Sequence, residues 1–156
     1  MVKKYSSLII LFHLLIYGCG FKVVGINTSN NFDIVEIETT GDNRINFNIK
    51  NKLLASSKKG GSLIEIELSS KKTREIKEKN IKNEITKYEV SISIITKFTD
   101  TLNNKTHQFK KSLSGDYSVA KKYSQTLNNE KKLLELLTNK ITEEILNEIV
   151  IRVNAI

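Results

Sequence analysis

The chain has 156 residues, carries 25 Lys+Arg against 17 Asp+Glu, and is 39% hydrophobic and 27% charged. That length suits one ordinary domain, and the balance of apolar and charged residues excludes a disordered chain. A single Cys excludes an intramolecular disulfide and a thiolate zinc cluster, and two His without neighbouring Cys point to no metal site.

Lys3 and Lys4 precede an apolar run from Leu8 to Ile16, the charged-then-apolar order of an export signal. The run is too short for a stable transmembrane helix, which takes roughly 20 residues. Ile16-Tyr17-Gly18-Cys19 follows, and this order resembles the lipobox of bacterial lipoproteins. The resemblance implies that Cys19 receives a diacylglyceryl group, that cleavage precedes Cys19, and that the new amine is acylated. The alternative, an N-terminal strand or helix with a core Cys, leaves unexplained why the only Cys directly follows the only signal-like run. Acyl chains contribute about 0.8 kcal/mol per buried methylene, so several chains anchor a protein durably without a transmembrane helix. Gly20 at the second mature position is not the Asp that retains enteric lipoproteins in the inner membrane, so the expected location is the outer membrane, periplasmic side. The expected organisation is a signal peptide over 1–18, a lipidated segment over 19–31, and a single α+β domain over 32–156.

Within that domain, residues 32–39 alternate β-branched and acidic side chains and predict a first strand. Thr40-Gly41-Asp42-Asn43 has turn and N-cap chemistry, and Ile45, Ile49 and Leu53 recur at helical spacing. Gly60-Gly61 is expected to stop that helix as a glycine beyond its C-cap. Residues 63–68 place Ile64, Ile66 and Leu68 on one strand face and Glu65 and Glu67 on the other. Residues 71–84 are strongly polar and fit a strand extension, a long hairpin or a mobile loop. Tyr88, Val90, Ile92, Ile94 and Phe98 alternate with Lys87, Glu89, Ser91, Ser93 and Lys97 in the longest strand signal of the chain. Asn103-Asn104 supplies a hairpin turn, and Phe109, Leu113 and Tyr117 mark the returning strand. From about Asn129 to Val153, Leu133, Leu137, Ile141, Ile145, Ile149 and Val153 form a stripe that predicts a core-facing amphipathic helix. The order β-α-β-β-β-α predicts an α+β fold: a four-stranded, mostly antiparallel sheet with two helices packed on one face.

No phosphate-binding glycine loop, nucleophile elbow or metal-binding His pair occurs. His107 reads as a solvated residue on a polar strand edge, and Glu65 and Glu67 as acids on an exposed strand face. The chain is therefore expected not to be an enzyme, and to carry no cofactor beyond the covalent lipid on Cys19. Charge, in contrast, is unevenly placed. Residues 71–122 hold 13 basic and 6 acidic side chains, residues 19–70 hold 6 and 6, and residues 123–156 hold 4 and 5. Ile, Lys and Asn supply 59 residues, a skew of AT-rich coding that accounts for the total Lys better than for its clustering. One basic end or face of the sheet is the functional reading, with Lys87, Lys97, Lys110 and Lys111 its candidate residues for an anionic ligand, although strand alternation could put Lys110 and Lys111 on opposite faces. Lysines that keep strand edges soluble are the alternative. Export separates the protein from nucleic acid, leaving anionic lipid, lipopolysaccharide or an acidic protein as partner.

Cys19-Gly20-Phe21-Lys22-Val23-Val24-Gly25, followed by β-α-β-β-β-α, resembles the start of the LptE family, lipopolysaccharide-assembly lipoproteins of the outer membrane. Tyr88-Glu-Val-Ser-Ile is similar to the family's Tyr-containing third strand, and Gly115-Asp-Tyr117 with Ser124 to its passage into the last helix. The resemblance implies an accessory role: a lipoprotein that assists assembly of the LptD barrel, plugs its lumen, and helps deliver lipopolysaccharide to the outer leaflet. It assigns no lipopolysaccharide-contacting residue. A lipoprotein that scaffolds another envelope complex, in barrel assembly or peptidoglycan attachment, is the other expectation.

Overall fold

A computed structural model describes residues 31–155, which form β1 (Phe32–Gly41), α1 (Asn43–Ser56), β2 (Ser62–Lys79), β3 (Ile85–Asp100), β4 (Lys105–Ser118) and α2 (Tyr123–Asn154). The strands lie in chain order in one sheet. β1 and β2 are parallel, which requires the crossover that α1 provides, and the other two pairs are antiparallel. The expected α+β arrangement is therefore the one observed.

Alternation on three strands sends one set of side chains beneath the helices. Ile64, Ile66, Ile92, Ile94 and Phe98 lie with Ile45, Ile49 and Leu53 of α1 and Leu137, Ile141, Ile145 and Ile149 of α2 in one buried cluster. In β1 a bulge between Ile34 and Glu36 breaks strict alternation, so Ile34 and Ile37 both reach the core while Val35 stays exposed.

Two boundaries differ from the sequence expectation. α1 starts where expected, capped by the Asp42 carboxylate, which accepts from Arg44 N and Ile45 N at 3.1 Å. It ends at Ser56, however, before the glycines are reached. Ser57 takes the cap position in extended conformation, and its hydroxyl accepts from Ile34 N at 2.9 Å. Gly60, at φ +86°, shapes the following turn instead, and a side chain on Gly61 would strike the backbone of Asn31 and Phe32. α2 begins six residues before the expected Asn129. Its first turns show no apolar period because their buried residue is Thr126, whose hydroxyl accepts from Ala120 N at 2.9 Å.

The polar 71–84 segment resolves as both a strand extension and a long hairpin. β1 pairs with β2 only as far as Gly41 opposite Ser70. Beyond that point β2 continues as an edge strand of exposed, mostly charged residues, and pairs with β3 through Lys79 opposite Ile85. The turn is fixed by Asn80, whose side-chain oxygen accepts from Lys82 N at 2.9 Å and Glu84 N at 3.0 Å. Asn83 there adopts a left-handed φ of 63°. At the opposite hairpin, Asn104 does the same at φ 52° while the Asp100 carboxylate accepts from Leu102 N and Asn103 N. A β2 of 18 residues extends roughly 60 Å at ~3.3 Å per residue, and α2, with 32 residues, roughly 48 Å. α2 thus serves most of the sheet's length, whereas α1, with 14 residues, covers roughly 21 Å.

Candidate functional site

Cys19 and the signal segment 1–18 lie outside the described residues. The four candidate lysines lie within them, and the pleat separates them. Lys87 and Lys97 lie on the helix-free face, as does Lys110, whereas Lys111 points toward α2. Lys97 meets Glu67 at 2.6 Å across β2 and β3, Lys87 meets Glu78 at 2.6 Å, and Lys111 meets Glu148 at 3.0 Å. The Lys87 hydrogen bond holds the Glu78 carboxyl below its ordinary value and raises Lys87 in turn. Lys110 makes no ion pair among the described residues. The four therefore do not converge into a single basic patch. Counting charge along the chain could not reveal this, because the neutralising acids come from other strands and from α2.

His107 also departs from the sequence reading. It lies on the helix-side face, stacked on Phe98 with ring centroids 5.0 Å apart, and its Nε2 is buried without a hydrogen-bond partner. It is a half-buried ring of the edge strand, packed on Phe98 and not freely solvated. Glu65 stays on the exposed face as expected, and Glu67 there holds Lys97.

On the hairpin half of the sheet, the face toward α2 carries the fully buried Val90 and Ile92 with a polar set around them. Tyr117, only 5% exposed, donates its hydroxyl to Glu130 of α2 at 3.1 Å, and burial pushes its phenol above the ordinary value so that the proton stays. Arg74 reaches Glu130 at 3.5 Å and lies over the Tyr88 ring, which stacks on Tyr117. Nearer the end of α2, Lys111 and Arg152 both hold Glu148, with Lys111 the larger cause of its lowered carboxyl value.

The basic residues that the fold does assemble are different ones. Between α1 and α2 opens a cleft of about 450 Å³. α1 contributes Arg44, Asn48, Asn51 and Lys52, which share a helix face at i, i+4, i+7 and i+8. α2 contributes Lys131, Glu135, Thr138 and Asn139 with the same periodicity. Helical spacing of Arg44, Asn48 and Lys52 was the available signal in the sequence, but three of the cleft's four cations fall outside the 71–122 segment where the charge excess stands out. Among the described residues, no group of three or more His, Cys, Asp or Glu side chains gathers as a metal site requires, and no helix is long and apolar enough to cross a membrane.

This architecture occurs in known proteins. A protein from Caulobacter crescentus designated a lipoprotein superposes with a TM-score of 0.59 at 14% identity, over 82% of this chain and 93% of that one. The fold is shared with bacterial lipoproteins. An uncharacterised lipoprotein B from Nitrosomonas europaea gives 0.57 at 14% identity, over 88% of this chain and 94% of that one. No protein-family model and no curated protein matches the sequence. The likeness lies in the order and packing of elements, with few identical side chains.

Proposed function

We propose that this protein is an outer-membrane lipoprotein, anchored through Cys19, that assists assembly of an LptD-like barrel, plugs it, and helps deliver lipopolysaccharide to the outer leaflet. The reading is supported above all by one conjunction. The only Cys follows a signal-like run, and the domain that begins at Phe32 has the fold of proteins designated lipoproteins. The helix-free face of the sheet fits a polar lumen wall, since it presents Ser69, Ser91, Ser93, Ser112 and Ser114 between charged ends and buries no apolar layer there. The proposal includes no catalytic step and no cofactor beyond the lipid.

Mass spectrometry of protein extracted from its native membrane tests the anchor. The expected product begins at an acylated Cys19, and an unmodified chain beginning at Met1 removes the lipoprotein reading. Affinity purification from the outer membrane tests the partner: a large co-purifying β-barrel is expected. The ion pairing of Lys87, Lys97 and Lys111 favours a second reading, a lipoprotein scaffolding another envelope complex, because paired lysines attract an anionic glycolipid less. Recovery of a peptidoglycan-linked or barrel-assembly partner in that purification, without the large barrel, selects it.

A further inference from the structure

We infer that the cleft between α1 and α2 binds a phosphorylated saccharide. Its volume, about 450 Å³, lies within the range of small-ligand sites, about 300–1,000 Å³. The decisive observation is a convergence. Arg44 and Lys52 of α1, Lys131 of α2 and Lys72 of β2 line one cleft, and apart from Lys72, which reaches Glu130 at 4.0 Å, none of them makes an ion pair among the described residues. Four cations gathered about one cleft with fewer carboxylates raise a local positive potential, which an anion relieves. Of the two acids lining the cleft, Asp42 already accepts two backbone N–H groups at the start of α1, which leaves Glu135.

The remaining lining gives the anion a chemical identity. Asn48, Asn51 and Asn139 make no side-chain hydrogen bonds among the described residues, so each offers an amide donor and acceptor to the cleft. Amides beside one carboxylate suit vicinal hydroxyls, and the half-buried Leu134 gives a sugar ring's C–H face an apolar contact. Arg44 presents a planar fork suited to phosphate, with Lys52 and Lys131 as point charges beside it. A simple inorganic anion leaves the amides idle, and a neutral sugar leaves the cations unpaired.

Such a ligand occurs free or as the headgroup of a glycolipid, and the chemistry of recognition is common to both. The assignment does not depend on the lipid anchor or on a barrel partner. The test uses the full chain in nonionic detergent, titrated calorimetrically with glucose 6-phosphate, glucose and inorganic phosphate. Glucose 6-phosphate should bind at least about tenfold more tightly than either fragment, and the Arg44→Glu/Lys131→Glu variant should lose about tenfold or more, as removal of a charge-assisted contact does. Lys52→Gln should weaken binding by a smaller factor, and Lys110→Glu, on the opposite face, should leave it unchanged. Each variant's unfolding midpoint is measured in parallel, and Lys52→Gln carries the test if the double variant is unstable. A deacylated phosphorylated oligosaccharide from lipopolysaccharide that competes for the cleft identifies the glycolipid as source, and failure to compete identifies a free sugar phosphate. Equal affinity for glucose, or binding undiminished in the cleft variants, overturns the inference. Neither result touches the lipoprotein reading, which stands or falls on Cys19 acylation and the co-purified partner.

Discussion

Where β1 lies alongside β2, four strands and both helices enclose fully buried Ile64, Ile66, Ile141, Ile145 and Ile149, whereas past Ser70 three strands meet α2 through a thinner apolar layer at Val90 and Ile92 and a polar set of Tyr117, Glu130, Arg74 and Lys72. The first half excludes water and draws its stability from apolar area, worth about 25 cal/mol per Å². The second half adds to its thinner apolar layer hydrogen bonds and partly exposed charges, each worth about 1 kcal/mol net. One continuous helix and three continuous strands cross both halves. Strand pairing therefore carries order into a region with a smaller core of its own, and the edge left by β1 is kept soluble by Lys71, Lys72, Arg74, Lys77 and Lys79.

The sharpest way to break the contrast is to place a charge in each half. Ile145→Asp puts an unpaired carboxylate at a site with 0% exposure and should cost about 4 kcal/mol or more in chemical denaturation. Ile76→Asp, at 51% exposure in the hairpin half, should change stability by less than about 1 kcal/mol. Equal effects of the two would remove the distinction between the halves.

The junction between them gives the next largest effect. Gly41 sits at φ +98° where β1 leaves the sheet, and a Cβ there would lie 1.9 Å from the Ser70 carbonyl oxygen. Gly41→Ala should cost about 2 kcal/mol or more, combining a left-handed strain with a backbone collision. Gly60→Ala has the same sign of φ but open space around it, so it isolates the strain alone and should cost about 1 kcal/mol.

Glu130→Ala sharpens the comparison from the hairpin side. It leaves the nearly buried Tyr117 hydroxyl and the Arg74 guanidinium without their shared acceptor and should cost about 1–2 kcal/mol. Hydrogen exchange should accelerate in β2 beyond Ser70 and in the first turns of α2, with Phe98 and Ile145 amides unchanged. Uniform acceleration across the molecule would show that the two halves open as one unit.

The smallest effect is acid dependence at Glu148, whose carboxyl is lowered by Lys111 first and Arg152 second. A lowered carboxyl stabilises the fold above its ordinary value of 4.5 and loses that contribution as pH falls through the folded value. Glu148→Gln should therefore flatten the loss of stability between neutral pH and acid, with the two proteins converging at low pH. A parallel pair of curves would assign the acid sensitivity to Glu78 or Asp100, which are lowered as well.

The separation between what was legible and what was not follows the same divide. Wherever a side chain's burial depended only on its own element's period, the chain declared it: Ile45, Ile49 and Leu53 on one helix face, Ile64, Ile66 and Leu68 on one strand face, and the Leu137-to-Ile149 stripe. Period two or 3.6 survives in the residue pattern because one side meets oil and the other water. Residues 71–79 escaped because neither face of that strand meets oil, and α2's first turns escaped because Thr126 is held by a hydrogen bond.

The order β-α-β-β-β-α, its apolar face and the signal-like lead to Cys19 were thus determined by the sequence itself, through local periodicity and spacing. Charge was not. Whether Lys97 is free or bound to Glu67, whether Lys111 is free or bound to Glu148, and whether Arg44 of one helix joins Lys131 of another were decided only by tertiary structure. The physical reason is range: an apolar period is written along one element, whereas a charge acts on whatever lies within a Debye length of about 8 Å at physiological ionic strength, and only the fold brings those neighbours there.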